Sequence, residues 1–297
     1  VDAVSDDGHS ALTLIAMLGT SFSPAYARAR AAGAADPLEF CTMNVALYGR
    51  AGSAWAMTER PRWAVARDSS SVSIGASSMR WTGRALEVEL DERSAPFAAP
   101  LRRGSPIRGK VKLFPTVHTD EAFALDGVGE HLWAPLAPAA RVEVELSEPG
   151  VRFSGLGYWD RNRGDVPLER TFARWSWARA VSAKVPAVTY RVEPKVGAPS
   201  LLAGTFSRDG RFEDGGPLAV LPLGDTRWGL ERPIAADPAS RVWLEETFED
   251  APFYARSLAR VSLFGRSTRV VHEALSLERF GRPWVQRLLP FRMRRTP

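Results

Sequence analysis

The segment Val151–Glu169, VRFSGLGYWDRNRGDVPLE, sets one acid among aromatic side chains. Read as a strand it alternates faces, so Leu156, Tyr158 and Asp160 point the same way. A carboxyl group in apolar, aromatic surroundings holds its proton more tightly than one in water, because burial disfavours the charged form. The chemistry this offers is proton donation, with Asp160 as the donor. The plain alternative is a turn, since Asp-Arg-Asn-Arg-Gly is good turn chemistry with no catalysis attached. The spacing also approaches a calcium loop. Gly164 falls one place early for that motif and arginines fill the intervening positions, so no metal is expected.

Two more pairs share the i, i+2 spacing. His131 and Trp133 stand in GEHLWAPLAP. A lone histidine near a strand is usually structural, but one that hydrogen-bonds a carboxyl group fixes its protonation state. Trp175 and Trp177 stand in ARWSWARA, two of ten tryptophans. Core packing accounts for any one of them. Several lining one cavity suit an elongated apolar ligand, or a transient carbocation held against aromatic faces. His9, His118 and His272 are far apart and lack metal-ligand spacing. There is no G-x-S-x-G elbow, P-loop, G-x-G-x-x-G or H-E-x-x-H, and no cofactor is expected.

The elements that must carry these residues are strands. Ala85–Asp91 (ALEVELD) and Arg141–Leu146 (RVEVEL) alternate apolar with charged residues, as half-buried antiparallel strands do. Leu38–Tyr48, Ile107–Phe114, Val185–Val192, Arg256–Phe264 and Thr268–Leu277 also read as strands. Turn signals recur at Asp7-Gly8, Asp126-Gly127, Asp209-Gly210 and Gly215-Gly216-Pro217. Pro24–Gly33 is the best short helix, with Pro at its start and Gly at its end. The expected class is all-β with little helix: two antiparallel barrel or sandwich halves joined near residues 165–180.

The chain has 297 residues, a net charge of +5 and a pI of about 9.7. Its few lysines are Lys110, Lys112, Lys184 and Lys195; the other basic residues are arginine. Without a zinc finger, helix-turn-helix or RNP motif, nucleic acid is not an expected partner. Cys41 is the single cysteine, so no internal disulfide or thiolate metal site is possible. The longest nearly unbroken apolar run, Ala11–Leu18, is too short to span a bilayer. The C-terminal stretch GRPWVQRLLPFRMRR sets Trp284, Leu288 and Leu289 among arginines, a mixture suited to a membrane interface. An ordinary final strand or tail is the alternative.

Taken together the chain resembles the carotenoid 1,2-hydratases, also called hydroxyneurosporene synthases. The stretches that carry the resemblance are SDDGHSALTLIAMLGTSFSPAY at 5–26, DPLEFCTMNVALYG at 36–49 and WAMTER at 55–60. They continue with HLWAPLAP at 131–138, GYWDRNRGDVPLE at 157–169, EDAPFYARS at 249–257 and VHEALSLERFGRPWVQRLLPFRMRR at 271–295.

The resemblance implies two lipocalin-like β domains, 1–170 carrying the acid and 171–297 following it. It implies cofactor-independent addition of water across the terminal C=C bond of an acyclic carotenoid such as neurosporene or lycopene. The family's acid matches Asp160 in the pattern G-Y-x-D-x-N-x-G, and its associated positions match His131, Trp133 and Tyr158. Leu156 stands where wider relatives of this fold carry histidine, which leaves His131 as the expected partner of the acid. Trp159, Trp175, Trp177 and Leu156 are the expected substrate contacts. The expected location is cytoplasmic, on the surface of the inner or intracytoplasmic membrane. Two other functions stay open at this point. One is a barrel that binds carotenoid or lipid without changing it. The other is an acid-dependent polyene cyclase or isomerase.

Overall fold

This computed structural model describes residues 1–33, 35–49, 53–95 and 104–296. Strands hold 57% of the residues and helices 11%, so the architecture is mostly β, as the period-two pattern demands. The alternation is visible directly: Leu86–Arg93 alternates buried and solvent-facing residues along its length. On its outer face Glu87 and Glu89 pair with Lys112 and Lys110 of the Pro106–Val117 strand, each at 3.1 Å and in register. Such exposed cross-strand pairs contribute only about 0.2–1 kcal/mol each, and their larger effect is to fix which face is wet.

Contacts divide the chain into two compact units. Unit 1 is Val1–Pro115, Ala140–Tyr158 and Gln286–Pro297; unit 2 is Thr116–Ala139 and Trp159–Val285. The boundary at 170/171 divides the chain by sequence, whereas these units divide it by contact. Two long strands take part in both units. His131–Glu148 begins in unit 2, and Val151–Gly164 ends there.

Unit 1 is built on a sheet path that runs Arg294–Arg295, Ala54–Arg60, Cys41–Gly49, Ser10–Met17, Asp2–Ser5 and Val151–Gly164. Its neighbours are antiparallel except for Arg294–Arg295, which pairs in parallel with Thr58 and Glu59. One face of this path buries Ala3, Leu12, Leu14, Met43, Val45 and Ala56 as core. The expected short helix forms at Pro24–Ala31, where the Ser23 hydroxyl accepts from the Tyr26 amide at 3.1 Å.

Unit 2 centres on a seven-stranded antiparallel sheet. Its order is Phe212–Asp214, Ser200–Phe206, Ala187–Pro194, Phe172–Ala180, Arg266–Ser276, Tyr254–Leu263 and Trp243–Asp250. One face packs Ala178, Ala187, Ala259 and Val270 against Leu223, Ile234 and Ala236, which belong to or adjoin a small hairpin of Ala219–Pro222 with Pro233–Ala236. The turn at Asp209-Gly210 shows why glycine is required: Gly210 has φ of +83°, and a Cβ there would lie 2.0 Å from the His118 carbonyl oxygen.

The C-terminal stretch departs from a plain tail or strand. Pro283–Arg292 is helical, and only Arg294–Arg295 is extended. Pro283 in the first turn has no N–H to waste and a φ already suited to the helix.

Candidate active site

The Val151–Gly164 strand does not break at Asp160 but runs on to Gly164. The pleat therefore persists through the acid, with Leu156, Tyr158 and Asp160 on one face and Trp159 on the other. Asp160 is half-buried. Leu156 and Tyr158 lie in unit 1, where Leu156 pairs with Val4 and the buried Tyr158 with Asp2.

In unit 2 the acid meets Trp133. The Trp133 indole Nε1–H donates to Asp160 Oδ2 at 2.9 Å, and Trp133 itself is wholly buried. Its N–H is thus engaged by the acid, while its ring packs against other rings. Phe123 is its cross-strand partner, with ring centroids 5.6 Å apart. Tyr190 meets it edge-on at 5.3 Å, and Trp175 meets Tyr190 edge-on at 6.4 Å. Phe212 packs on Phe123 at 4.9 Å. Each such aromatic pair contributes about 0.5–1.5 kcal/mol beyond its area, and the edge-on geometry fixes ring orientation. The Tyr190 phenol is pushed far up, first by burial and then by the charges of Asp160 and Glu273, so it stays protonated.

His131 takes a different partner from the one expected. Its Nε2 sits 3.1 Å from the Thr171 hydroxyl, and its ring lies 4.8 Å from that of Phe172. Burial pushes its pKa down, and the acids Asp126, Glu130 and Asp165 only partly oppose this, so the imidazole is neutral near pH 7. On its other side, a Cβ on Gly164 would lie 2.7 Å from His131 Nδ1. The imidazole thus props the end of the strand that carries Asp160, four residues before Gly164.

Trp177 is buried on the same strand face as Trp175, and pairs in register with Tyr190 on one side and Glu273 on the other. A cavity of about 190 Å³ in unit 2 is lined by Trp175 together with Arg174, Arg191, Glu193, Glu231 and Glu278 among others. That ionic lining is unsuited to a hydrocarbon.

Sequence reasoning missed Tyr190, Phe123, Phe212, Thr171 and Glu273. Glu273 left a signal: it is the one carboxylate in the apolar run VVHEALSL. The others look like ordinary strand or loop residues, and only the pairing of distant strands gives them a role.

The site therefore offers a carboxyl group that accepts a neutral indole N–H, walls of aromatic rings and a neutral histidine. Such walls favour a cation that forms among them and repel nothing apolar.

Comparison with known proteins bears on what this chemistry serves. The chain matches the family described as carotenoid hydratase CrtC over residues 14–297. It is 43% identical over 296 residues to the acyclic carotenoid 1,2-hydratase of Thiocapsa roseopersicina, covering 99% of this chain and 72% of that protein. It is 38% identical over 284 residues to the protein of the same name from Cereibacter sphaeroides, covering 96% and 98%. Among solved structures, CghA aligns with a TM-score of 0.55 at 12% identity, covering 93% of this chain and 86% of that one. An AttH-type protein of Nitrosomonas europaea aligns with a TM-score of 0.54 at 10% identity, covering 92% and 89%. At those identities the likeness is one of fold.

Proposed function

The chain belongs to the carotenoid hydratase family, and we propose that it is a hydro-lyase adding water to the terminal C1=C2 bond of an acyclic carotenoid, with Asp160 as the acid. The observation that carries the role of Asp160 is its hydrogen bond from Trp133 inside an aromatic wall.

The end of such a substrate is a trisubstituted alkene. Protonation at C2 puts the positive charge on tertiary C1, the more stable carbocation, and water then joins C1. A carboxylic acid protonates carbon poorly in water, so the site must favour the cation as it forms. Desolvated aromatic faces contribute about 2 kcal/mol or more each towards this. The indole N–H on Asp160 strengthens as the carboxyl becomes a carboxylate, which draws the transfer forward. Tyr158, on the same strand face as the acid, and His131, behind the strand end, are positioning groups in this scheme. Trp175 and Trp177, on the sheet face that carries Tyr190, are the substrate contacts in this scheme.

The substrate resides in lipid, so the enzyme works best at a membrane surface. Among the described residues no helix is long and apolar enough to cross a membrane. Support for peripheral docking comes from Trp228 and Trp284, whose rings stack at 5.8 Å and 25° although the residues are 48% and 42% exposed. Exposed stacked indoles beside Arg282 suit a headgroup layer, where one part of the ring is wet and the other apolar.

The test is incubation with lycopene in heavy water enriched in heavy oxygen. The product should gain one water, with deuterium on C2 and solvent oxygen on C1. Oxygen on C2, or a product of unchanged mass, defeats the reading.

A further inference from the structure

Hydration needs two proton transfers. One delivers a proton to C2; the other removes a proton from the water that has joined C1. Asp160 accounts for the first. Unit 2 holds another carboxyl group placed for the second.

On the seven-stranded sheet one transverse row runs Tyr190, Trp177, Glu273, Arg256, each residue the register partner of the next. Register partners share a face, so all four side chains stand on the face that carries Tyr190 and its aromatic neighbours. Glu273 lies two strand spacings from Tyr190, roughly 10 Å along the sheet. The charges of Asp160 and Glu273 both raise the pKa of the Tyr190 phenol, after burial, so both carboxyls lie within electrostatic reach of one aromatic group.

The two carboxyls are held differently. Glu273 is ion-paired with the guanidinium of Arg256, itself 2% exposed and also bonded to the Tyr254 hydroxyl at 3.3 Å. Asp160 takes the neutral indole N–H of Trp133. A guanidinium favours the charged form in which a base must begin, and a neutral N–H donor favours it less. Two carboxyls in contrasting surroundings are how one site separates an acid from a base.

We propose that Glu273 is a second catalytic carboxylate, the base that takes a proton from the water as it joins C1. This rests on the reading of the chain as a hydratase with Asp160 as its acid. The Asp160 O–H bond breaks, and its proton with the alkene π pair forms C2–H. A lone pair of water forms C1–O, and the water's O–H bond breaks as its proton passes to Glu273. Between turnovers solvent carries that proton from Glu273 back to Asp160, so the net change is alkene plus water to alcohol, with nothing oxidised or reduced.

A buried ion pair also braces a sheet, and the experiment separates brace from base. The full chain is incubated with lycopene in heavy water, and both the alcohol and the recovered carotenoid are analysed for deuterium. Glu273→Gln/Arg256→Met removes both charges together, so no buried charge is stranded. Asp160 still protonates C2 in this variant, but the cation is not captured and returns to alkene by losing a proton. Alcohol formation should fall about a hundredfold, while deuterium accumulates in the recovered carotenoid. Glu273→Asp keeps the ion pair but draws the carboxylate back, and should show the same shift from capture to exchange more mildly. That variant decides the matter if the double variant does not fold. Hydration within about threefold of wild type, or an unchanged ratio of alcohol to exchange in both folded variants, overturns the proposal. Exchange that survives Asp160→Asn sinks the acid assignment instead, and a wild type that makes no alcohol sinks the hydratase reading.

Discussion

Trp133 and Asp160, 27 residues apart, meet at 2.9 Å through an indole N–H and a carboxyl oxygen. The first comes from the start of one long strand and the second from near the end of the next. Asp160→Asn keeps the shape and the strand but has no acidic proton. Hydration of lycopene should fall by at least about a thousandfold, with far-UV circular dichroism unchanged. Near-normal turnover in that variant removes Asp160 from the mechanism.

Trp133→Phe separates the ring from its N–H. The aromatic wall survives, but Asp160 loses a donor that grows stronger as the proton leaves. A hydrogen bond to a charged group contributes about 1.5–3 kcal/mol, so kcat should fall roughly tenfold to a hundredfold, with KM little changed. A rise in KM at constant kcat would assign Trp133 to binding alone.

Gly164 and His131 test the prop behind the strand. In Gly164→Ala the new methyl would sit 2.7 Å from Nδ1 of His131, so the imidazole or the strand end must shift. Turnover should drop by about tenfold. Gly164→Ala/His131→Ala has room again and should recover part of that loss. His131→Ala alone should slow turnover while carotenoid binding survives, because in the proposed scheme the neutral imidazole positions the acid and does not replace it. No recovery in the double variant would disprove the steric account.

Membrane docking is expected to depend on the indole stack. Flotation with anionic vesicles should fall with rising salt, because surface charge attraction is screened. Trp228→Ala/Trp284→Ala should abolish flotation and slow hydration of carotenoid held in vesicles, yet leave hydration in detergent unchanged. Equal flotation of wild type and variant would locate docking elsewhere.

His272 should make the protein acid-sensitive. Burial pushes its pKa down to about 4, although its Nε2–H bond to the Pro233 carbonyl at 2.9 Å opposes this. The unfolded chain binds this proton near pH 6.5 and the folded protein only near 4, so stability falls as pH drops through that window. The loss is on the order of 3 kcal/mol. Thermal midpoints of His272→Gln should depend less on pH between about 6.5 and 4 than those of wild type.

The strands were legible because half-buried β-structure writes its faces into a period of two, as in ALEVELD. The site was legible in part. Asp160 and Trp133 lie in adjoining strands, and the i, i+2 spacing picked out both. The partner of His131 was not legible, because Thr171 is one of many hydroxyls and only the fold chooses among them. Tyr190 and Glu273 were hidden for a related reason: each is one residue in a strand, and their shared face exists only once three strands are in register.

The contact units have a consequence for synthesis. Unit 1 takes in residues 1–115, yet it also needs residues 140–158 and 286–297. A ribosome has therefore made every residue of unit 2 before it has made the last of unit 1. The half begun first is finished last. Until Arg294 and Arg295 lie beside Thr58 and Glu59, the edge of the Ala54–Arg60 strand waits without that neighbour. An open strand edge invites pairing with another chain, and residues 294–295 cover part of that edge only after more than two hundred further residues have been made.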